Sequence, residues 1–377
     1  RLDALAAHIA QAGSGDLKAT LPGGRAQVKG RIAPTQGAGE VQARIDDAAA
    51  LQAWVERLPG LEKAFAGAAA RGSARLDASW QGGWRAIQQR LQAVNTPPAD
   101  RAAEPSLKAR LEAPRLDLRL PAAKAGETAP AEIQLRGLQA TLDGSLARAA
   151  LTLRGEAQQG TRKLTLDTRA SGGLERANQW RLALASLRTQ LMDSTRSDAP
   201  WTVELAREFS STVRVGNGQL EVESSAGGAT LRGPVPGTVR IDWEPVRLRQ
   251  TTSASGTALR LQSKGRMQGL PMAWSRAFGG DTSLRELGIS GDLVFDGDWD
   301  IEAGDRLRAQ ARIARASGDL RVQAGEAALV RRIESRGTGT KSEITTDSSD
   351  NAPSTPAGLR QAELRLDAEG DAVRARL

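Results

Sequence analysis

The stretch Arg115-Leu116-Asp117-Leu118-Arg119-Leu120 places a leucine at every second position and a charged residue between them. Successive side chains of a β-strand point to opposite faces of the sheet, whereas a helix repeats after about 3.6 residues. The stretch therefore predicts a strand with one apolar face and one charged face.

The same alternation recurs through most of the chain after Leu107 and predicts one elongated, curved, largely antiparallel sheet, so the fold class is mostly β. An amphipathic sheet buries its apolar face against helices, a second sheet, itself or a ligand. Predicted helices are too few to cover this face. We therefore expect an open trough whose groove holds a lipid or other apolar cargo and is lined by Leu116, Leu118, Leu120, Ile133, Leu135, Leu151, Leu153, Leu164, Leu166, Leu182, Leu184, Val213, Val215, Leu220, Val222, Val239, Ile241, Leu259, Leu261, Leu293, Phe295, Leu320, Val322, Leu364 and Leu366.

Residues 1–105 are expected to form strands with a few short amphipathic helices. Apolar residues at helical spacing, together with capping and breaking residues, predict these helices in the first quarter of the chain. Alternation and Gly/Pro turns predict the strands. The predicted strands are 16–21, 25–32, 40–45 and 73–80, and the predicted helices are 48–58, 61–70 and 83–94.

Residues 106–334 are expected to form the continuous β trough. Two loops, 95–105 and 121–131, are predicted from their Pro and Ala content. Residues 335–358 contain almost nothing apolar and are predicted to be a disordered insertion. Residues 359–377 resume the alternation and are predicted to add further strands to the trough.

The composition excludes several classes of function. The 377 residues include no Cys and one His, His8, which removes thiol chemistry, disulfides and almost every zinc site. His8 has no nucleophile motif near it, so we expect no hydrolytic triad. Tyr is also absent and aromatic residues make up 3% of the chain, which disfavours the stacking surfaces of single-stranded nucleic-acid binders. We predict no enzyme, no cofactor and no metal.

The net charge of +8 permits an anionic partner without requiring one. The 52 basic and 44 acidic residues are interleaved, as in Arg360, Glu363, Arg365 and Asp367, and no dense basic run occurs. This pattern favours a solvated polar face over a nucleic-acid or anionic-lipid footprint. Only eight of the basic residues are Lys.

Three motifs suggest a ligand site but are incomplete. Asp296, Asp298 and Asp300 alternate as calcium ligands do, yet the Gly and Glu that complete a calcium loop are missing. Gly216–Gly218 and Gly337–Gly339 lack the residues that complete a phosphate loop. Carboxylates are so frequent that no pair stands out for glycosidase chemistry. We interpret all of these as turn or polar-face residues.

Tryptophans occur at predicted strand ends or beside Gly and Pro, where they either pack at the rim of the sheet or anchor it at a lipid interface. Both interpretations stay open for Trp80, Trp84, Trp201, Trp243, Trp274 and Trp299.

Several stretches between residues 200 and 322 resemble the TamB family, the large subunit of the translocation and assembly module of Gram-negative bacteria, within the AsmA-like superfamily. They are Pro200-Trp201-Thr202-Val203, Leu231-Arg232-Gly233-Pro234, Ile241-Asp242-Trp243-Glu244-Pro245, Gly269-Leu270-Pro271-Met272-Ala273-Trp274, Ile289-Ser290-Gly291-Asp292-Leu293 and Gly297-Asp298-Trp299-Asp300-Ile301.

The resemblance implies a periplasmic protein anchored in the inner membrane, with a β sheet curled into a trough with an apolar interior. It also implies a role in outer-membrane biogenesis, with phospholipid or nascent outer-membrane protein as cargo and the barrel protein TamA as partner. The sequence begins at Arg1 without a leader and has no apolar run of about 20 residues, so we expect an interior fragment whose membrane anchor lies outside it.

Two other classes of function remain open. A closed β-solenoid or sandwich that serves as a stalk or adhesin would show the same alternation of apolar and polar residues. Its core would be filled by its own side chains and would bind no lipid. Enzymatic action on an envelope polysaccharide would require aromatic and carboxylate residues clustered in one cleft.

Overall fold

A large antiparallel sheet dominates the computed structural model, which describes residues 13–59, 67–85, 87, 104–120, 131–176, 178–197, 199–216, 218–253, 256–278, 289–304, 306–323, 354–370 and 372–376. Within these ranges the sheet has 20 strands, and a second sheet has three. The prediction of a mostly β, curved, largely antiparallel sheet with few helices is confirmed.

The first nine strands form a simple meander in which each strand pairs antiparallel with the next. All of the predicted early strands fall within it. The strands are β1 Gly13–Leu21, β2 Gly24–Ile32, β3 Ala38–Ile45, β4 Ala69–Gln81, β5 Ser106–Leu120, β6 Ala131–Ser145, β7 Ala149–Gln159, β8 Arg162–Arg176 and β9 Gln179–Asp193.

The middle of the sheet replaces long strands with pairs of short strands lying end to end. Strand β9 pairs with two strands, one along each half, and β16 does the same on the far side. The six short strands are β10 Trp201–Leu205, β11 Phe209–Gly216, β12 Gln219–Ser224, β13 Gly227–Arg232, β14 Thr238–Trp243 and β15 Arg247–Ser253, and β16 is Gly256–Pro271.

The segments that join the two halves define a seam, residues 206–208, 225–226 and 244–246. Its backbone is bridged by local hydrogen bonds. Ser225 Oγ accepts from the Ser210 amide at 3.0 Å, and Ser224 Oγ accepts from the Val246 amide at 3.2 Å. Arg207 donates to the Gly227 carbonyl at 2.6 Å. The seam therefore keeps its polar groups paired although the strands are interrupted.

The remaining main-sheet strands follow β16 in the order β18, β19, β22 and β23. The small sheet contains β17, β20 and β21. The ranges are β17 Ile289–Gly291, β18 Val294–Ala303, β19 Leu307–Ser317, β20 Leu320–Gln323, β21 Ser354–Pro356, β22 Glu363–Glu369 and β23 Ala372–Arg376.

The register places apolar residues opposite one another across almost the whole sheet. The row in the meander contains one polar residue, Thr168. It is Ala19, Ala26, Ala43, Leu76, Leu111, Ala140, Leu153, Thr168 and Leu187. Beyond the seam a second row contains Leu205, Ala229, Ile241, Met267, Gly297, Ile313 and Leu364.

Shifts of register keep these residues on one face over strands of up to 16 residues. They occur between β4 and β5, β6 and β7, β8 and β9, β16 and β18, and β18 and β19. An extra residue in one strand bends it and increases its twist. The shifts therefore preserve the apolar face and contribute to the curvature of the sheet.

One α-helix, α1 Ala48–Val55, follows β3, and Asp47 caps it by accepting from the amides of Ala49 and Ala50 at 2.9 and 3.2 Å. This helix confirms the start of the predicted helix 48–58. Residues 69 and 70 of predicted helix 61–70 instead begin β4 because their backbones pair with β5, while residues 61–66 lie outside the described residues. Residues 84, 85 and 87 of predicted helix 83–94 are helical.

The predicted insertion 335–358 lies outside the described residues as far as residue 353. Residues 354–356 were predicted to be disordered, but they form β21 and pair with β20. Most of the loops 95–105 and 121–131 also lies outside the described residues.

Candidate functional site

An apolar groove of about 840 Å³ lies on the concave face of the meander. Its walls come from every strand between β2 and β9, which requires the sheet to curl around it. The lining is Val28, Ile32, Ala33, Val41, Trp80, Gln81, Gly82, Trp84, Ile87, Pro105, Ser106, Leu107, Leu142, Gly144, Ser145, Leu146, Ala149, Leu151, Ala170, Ser171, Gly172, Gly173, Trp180 and Leu182.

The protein's own described residues leave this face partly uncovered. Leu182 is 51% exposed, Leu107 41% and Leu151 37%. Within the described chain, the fully buried apolar residues are few and scattered, and most are small or lie near the second half of the sheet. A filled sandwich core would bury such leucines, so the concave face is an open apolar surface.

Two of the predicted lining residues, Leu151 and Leu182, line this groove. The register places almost all the others on the same face of the main sheet, for example Leu116 opposite Leu135 and Ile313 opposite Leu364. The groove also uses residues that the prediction omitted. Val28, Leu107 and Leu142 lie in alternating stretches of their own, so the same period-two signal contains them.

Two predicted lining residues lie outside the main sheet, and two others are buried by the chain. Leu320 and Val322 belong to β20 of the small sheet. Leu293 lies between strands and is 4% exposed, and Val239 is 1% exposed. A 3₁₀ helix, Met272–Phe278, follows β16, and the Met272 amide donates to the Leu293 carbonyl at 2.8 Å. Leu293 and Val239 are buried by the chain and are therefore not accessible to a cargo.

Three tryptophans lie on glycines of the neighbouring strand. Trp80 is directly opposite Gly39, Trp243 opposite Gly227, and Trp299 opposite Gly265. A Cβ built on each glycine would approach the facing indole ring to 2.2 or 2.3 Å. The rings therefore occupy the space that a side chain would fill and lie flat on the apolar face.

The other predicted tryptophans pack in two places. Trp274 in the 3₁₀ helix is 1% exposed, donates to the Val235 carbonyl at 3.0 Å, and meets Trp201 edge to face at 4.8 Å between ring centroids. Trp84 lines the groove, and its buried Nε1 has no hydrogen-bond partner within the described chain. Trp201, Trp243, Trp274 and Trp299 pack against other parts of the chain, and Trp80 packs on Gly39 and also lines the groove.

The opposite, convex face carries arginine–carboxylate pairs both across and along strands. Several carboxylates accept from two arginines: Asp117 meets Arg136 at 2.6 Å and Arg115 at 3.0 Å, and Glu221 meets Arg249 at 2.5 Å and Arg214 at 3.2 Å. A guanidinium has five donors in a planar fork, which suits this bridging better than an ammonium group. This geometry gives the excess of Arg over Lys a structural use.

These contacts keep the carboxylates ionised. The hydrogen bond from Arg136, followed by that from Arg115, lowers the pKa of Asp117. Arg249 and then Arg214 lower the pKa of Glu221. At a turn, the Thr195 hydroxyl and amide lower the pKa of Asp193 to about 2. None of these groups has a raised pKa of the kind that a general acid requires.

The motifs with suggestive spacing have structural roles where the chain is described. Asp296 accepts from the Gly269 amide at 2.8 Å, and Asp300 lies 3.6 Å from Lys264. No cluster of metal-ligating side chains occurs among the described residues. Gly216 and Gly218 flank the β11–β12 turn. His8 and Gly337–Gly339 lie outside the described residues.

No helix within the described ranges is both long and apolar enough to span a membrane. Comparison with known proteins finds no matching family model, no similar curated protein and no similar solved structure. The groove and the convex face are therefore interpreted from their own geometry.

Proposed function

We propose that the chain is a non-enzymatic trough that shields acyl chains of phospholipid, or amphipathic segments of outer-membrane proteins, on its concave face. The observation that carries the proposal is the uncovered apolar groove between β2 and β9. Its lining is almost free of charge, whereas the convex face is densely charged. Such a division excludes water from an apolar cargo and keeps the outside solvated.

The size of the groove suits acyl chains. A methylene group takes about the volume of a water molecule, roughly 30 Å³, so the groove has room for on the order of 28 such groups. Each methylene removed from water contributes about 0.8 kcal/mol. A chain arriving from a bilayer is already out of water, so its transfer into the groove is close to neutral. Near-neutral exchange allows a cargo to enter and leave.

The resemblance to the TamB family and the AsmA-like superfamily supports the same proposal. It adds a periplasmic, inner-membrane-anchored location, a role in outer-membrane biogenesis, and a barrel partner of the TamA type. These parts of the proposal rest on the resemblance alone.

The test compares charge placed inside the groove with charge placed outside it. Leu142 and Leu151 are directly paired and line the groove, while their neighbours Thr141 and Thr152 are directly paired on the other face. The chain is purified without detergent, and bound phospholipid is quantified by mass spectrometry. We expect bound lipid in the wild type and in Thr141→Asp/Thr152→Asp, and at least a tenfold loss in Leu142→Asp/Leu151→Asp.

Far-UV circular dichroism establishes that each variant keeps its strands. A folded wild type without lipid, or equal lipid in all three proteins, contradicts the trough and favours the stalk or adhesin. The filled core that the stalk requires is not supported by the exposed leucines of the groove.

A further inference from the structure

The end of the groove where β2, β4, β6 and β8 finish, here called the groove rim, carries an excess of positive charge. It consists of described residues alone, namely the two terminal residues of each strand at that end and the described parts of the connections between them: 31–39, 80–85, 87, 104–107, 144–150, 175–176 and 178–180. The basic residues of the rim are Arg31, Arg85, Arg148 and Arg176, and its acidic residues are Glu104 and Glu175.

The acidic residues of the groove rim are already engaged. Glu104 accepts from Ser145 Oγ at 2.7 Å. Glu175 accepts from the Gln179 side chain at 3.0 Å and lies 3.9 Å from Arg181. The four rim arginines are exposed, and no ion pair joins any of them to another described residue. This contrasts with the convex face, where arginines pair with carboxylates.

Two of these arginines are next in the chain to residues that line the groove. Arg85 follows Trp84, and Arg148 precedes Ala149, and both neighbours line the groove. A molecule with an apolar tail in the groove and an anionic head at the rim would match both surfaces. We propose, building on the proposed function, that the groove selects phospholipids with a net negative headgroup, whose phosphate is bound by Arg85 and Arg148.

The experiment measures equilibrium binding of two lipids that share the same fluorescently labelled acyl chains, phosphatidylglycerol and phosphatidylcholine. We expect the wild-type chain to bind phosphatidylglycerol at least fivefold more tightly, with a preference that falls as salt rises. Arg85→Gln/Arg148→Gln should weaken phosphatidylglycerol binding about tenfold. Phosphatidylcholine binding should weaken only about twofold, because the trimethylammonium group offsets the charge of its phosphate, so the preference should disappear.

The matched control, Arg119→Gln/Arg240→Gln, removes the same charge from exposed arginines elsewhere and should keep the preference. Equal binding of both lipids by the wild type, or an unchanged preference in the rim variant, overturns headgroup selection while leaving the trough intact. Binding of neither lipid overturns both proposals.

Attraction to a charged lipid surface without entry into the groove is distinguished by the groove variants. Leu142→Asp/Leu151→Asp should bind neither lipid, whereas Thr141→Asp/Thr152→Asp, with the same net charge, should bind both. Phosphatidylglycerol binding that survives in the leucine variant overturns the proposal, because the headgroup would then be held without the acyl chain.

Discussion

At the scale of single residues, the concave face depends on glycines as much as on leucines. Gly39, Gly227 and Gly265 each lie under the indole of a paired tryptophan. The ring supplies the apolar area that the glycine lacks, and the glycine lets the ring lie flat. The sequence displays both residue types but not their pairing, because the register between distant strands is not visible in it.

Gly39→Ala should therefore destabilise the protein. The added methyl would lie 2.3 Å from the Trp80 ring and 2.7 Å from the Lys29 carbonyl, so either the ring or the strand has to move. Overpacking of this kind costs about 1–3 kcal/mol. Urea denaturation should show a lower midpoint, and Trp fluorescence should change in the native state.

Gly15 is the matched control, because it lies in the same cross-strand row and a Cβ there meets nothing within 4 Å. Gly15→Ala should leave the free energy of unfolding unchanged or raise it by up to about 1 kcal/mol. Equal loss in both variants would show that the ring contact is not the cause.

At the scale of strands, alternation was sufficient to predict the class of fold and the face to which most apolar residues belong. The stretch 115–120 lies within β5, and Leu116 faces Leu135 as the pattern requires. Alternation says little about where a strand stops. It cannot distinguish one long strand from two short strands that lie end to end. Strands β10–β15 have the second arrangement.

The four predicted lining residues that no cargo in the groove can reach differ from the prediction for a common reason. Leu293, Val239, Leu320 and Val322 carry the same apolar signal as the groove residues, but tertiary structure decides what covers them. The 3₁₀ helix packs Trp274 against Trp201, and the small sheet takes β20 away from the main one. Neither contact can be predicted from the alternation of apolar and polar residues.

The seam is the interruption in the sheet at which local opening is most easily tested. Ser224→Ala/Ser225→Ala removes the acceptors of the Val246 and Ser210 amides, and each lost hydrogen bond costs about 1 kcal/mol. Hydrogen exchange followed by mass spectrometry should show faster exchange at Val246 and Ser210. Exchange within β7 and β8 should stay unchanged.

Ser79→Ala/Ser171→Ala is the control, since both serines are exposed and their hydroxyls make no hydrogen bond to another described residue. Faster exchange throughout the sheet in the seam variant would contradict a local role and indicate that the seam holds the two halves together.

At the scale of the whole molecule, the sheet extends further across its strands than along them. Three positions hold two strands each, so the 20 strands occupy 17 places in the sheet. At about 4.8 Å per place it extends over roughly 75 Å along its curve. The outermost strands, β1 and β23, each pair with one other described strand, so the sheet does not close on itself.

Across this length the rows of paired apolar residues contain almost no polar residue. A single fixed binding site would not require an apolar surface of this length. A path predicts cargo contact along the whole row, whereas a site predicts contact in the groove between β2 and β9 alone. Photo-crosslinking amino acids distinguish the two when placed at adjacent inward and outward positions. The three inward/outward pairs are Leu142/Thr141 in β6, Ile241/Arg240 in β14 and Ile313/Arg312 in β19.

A continuous path requires labelled phospholipid to crosslink at all three inward positions and at none of the outward neighbours. Proximity to a membrane alone would label both faces, so each outward residue controls for its inward partner. Crosslinking at Leu142 alone would reduce the trough to a carrier with one site. The second half of the concave face would then be a structural surface, whose open leucines and tryptophans cover no cargo.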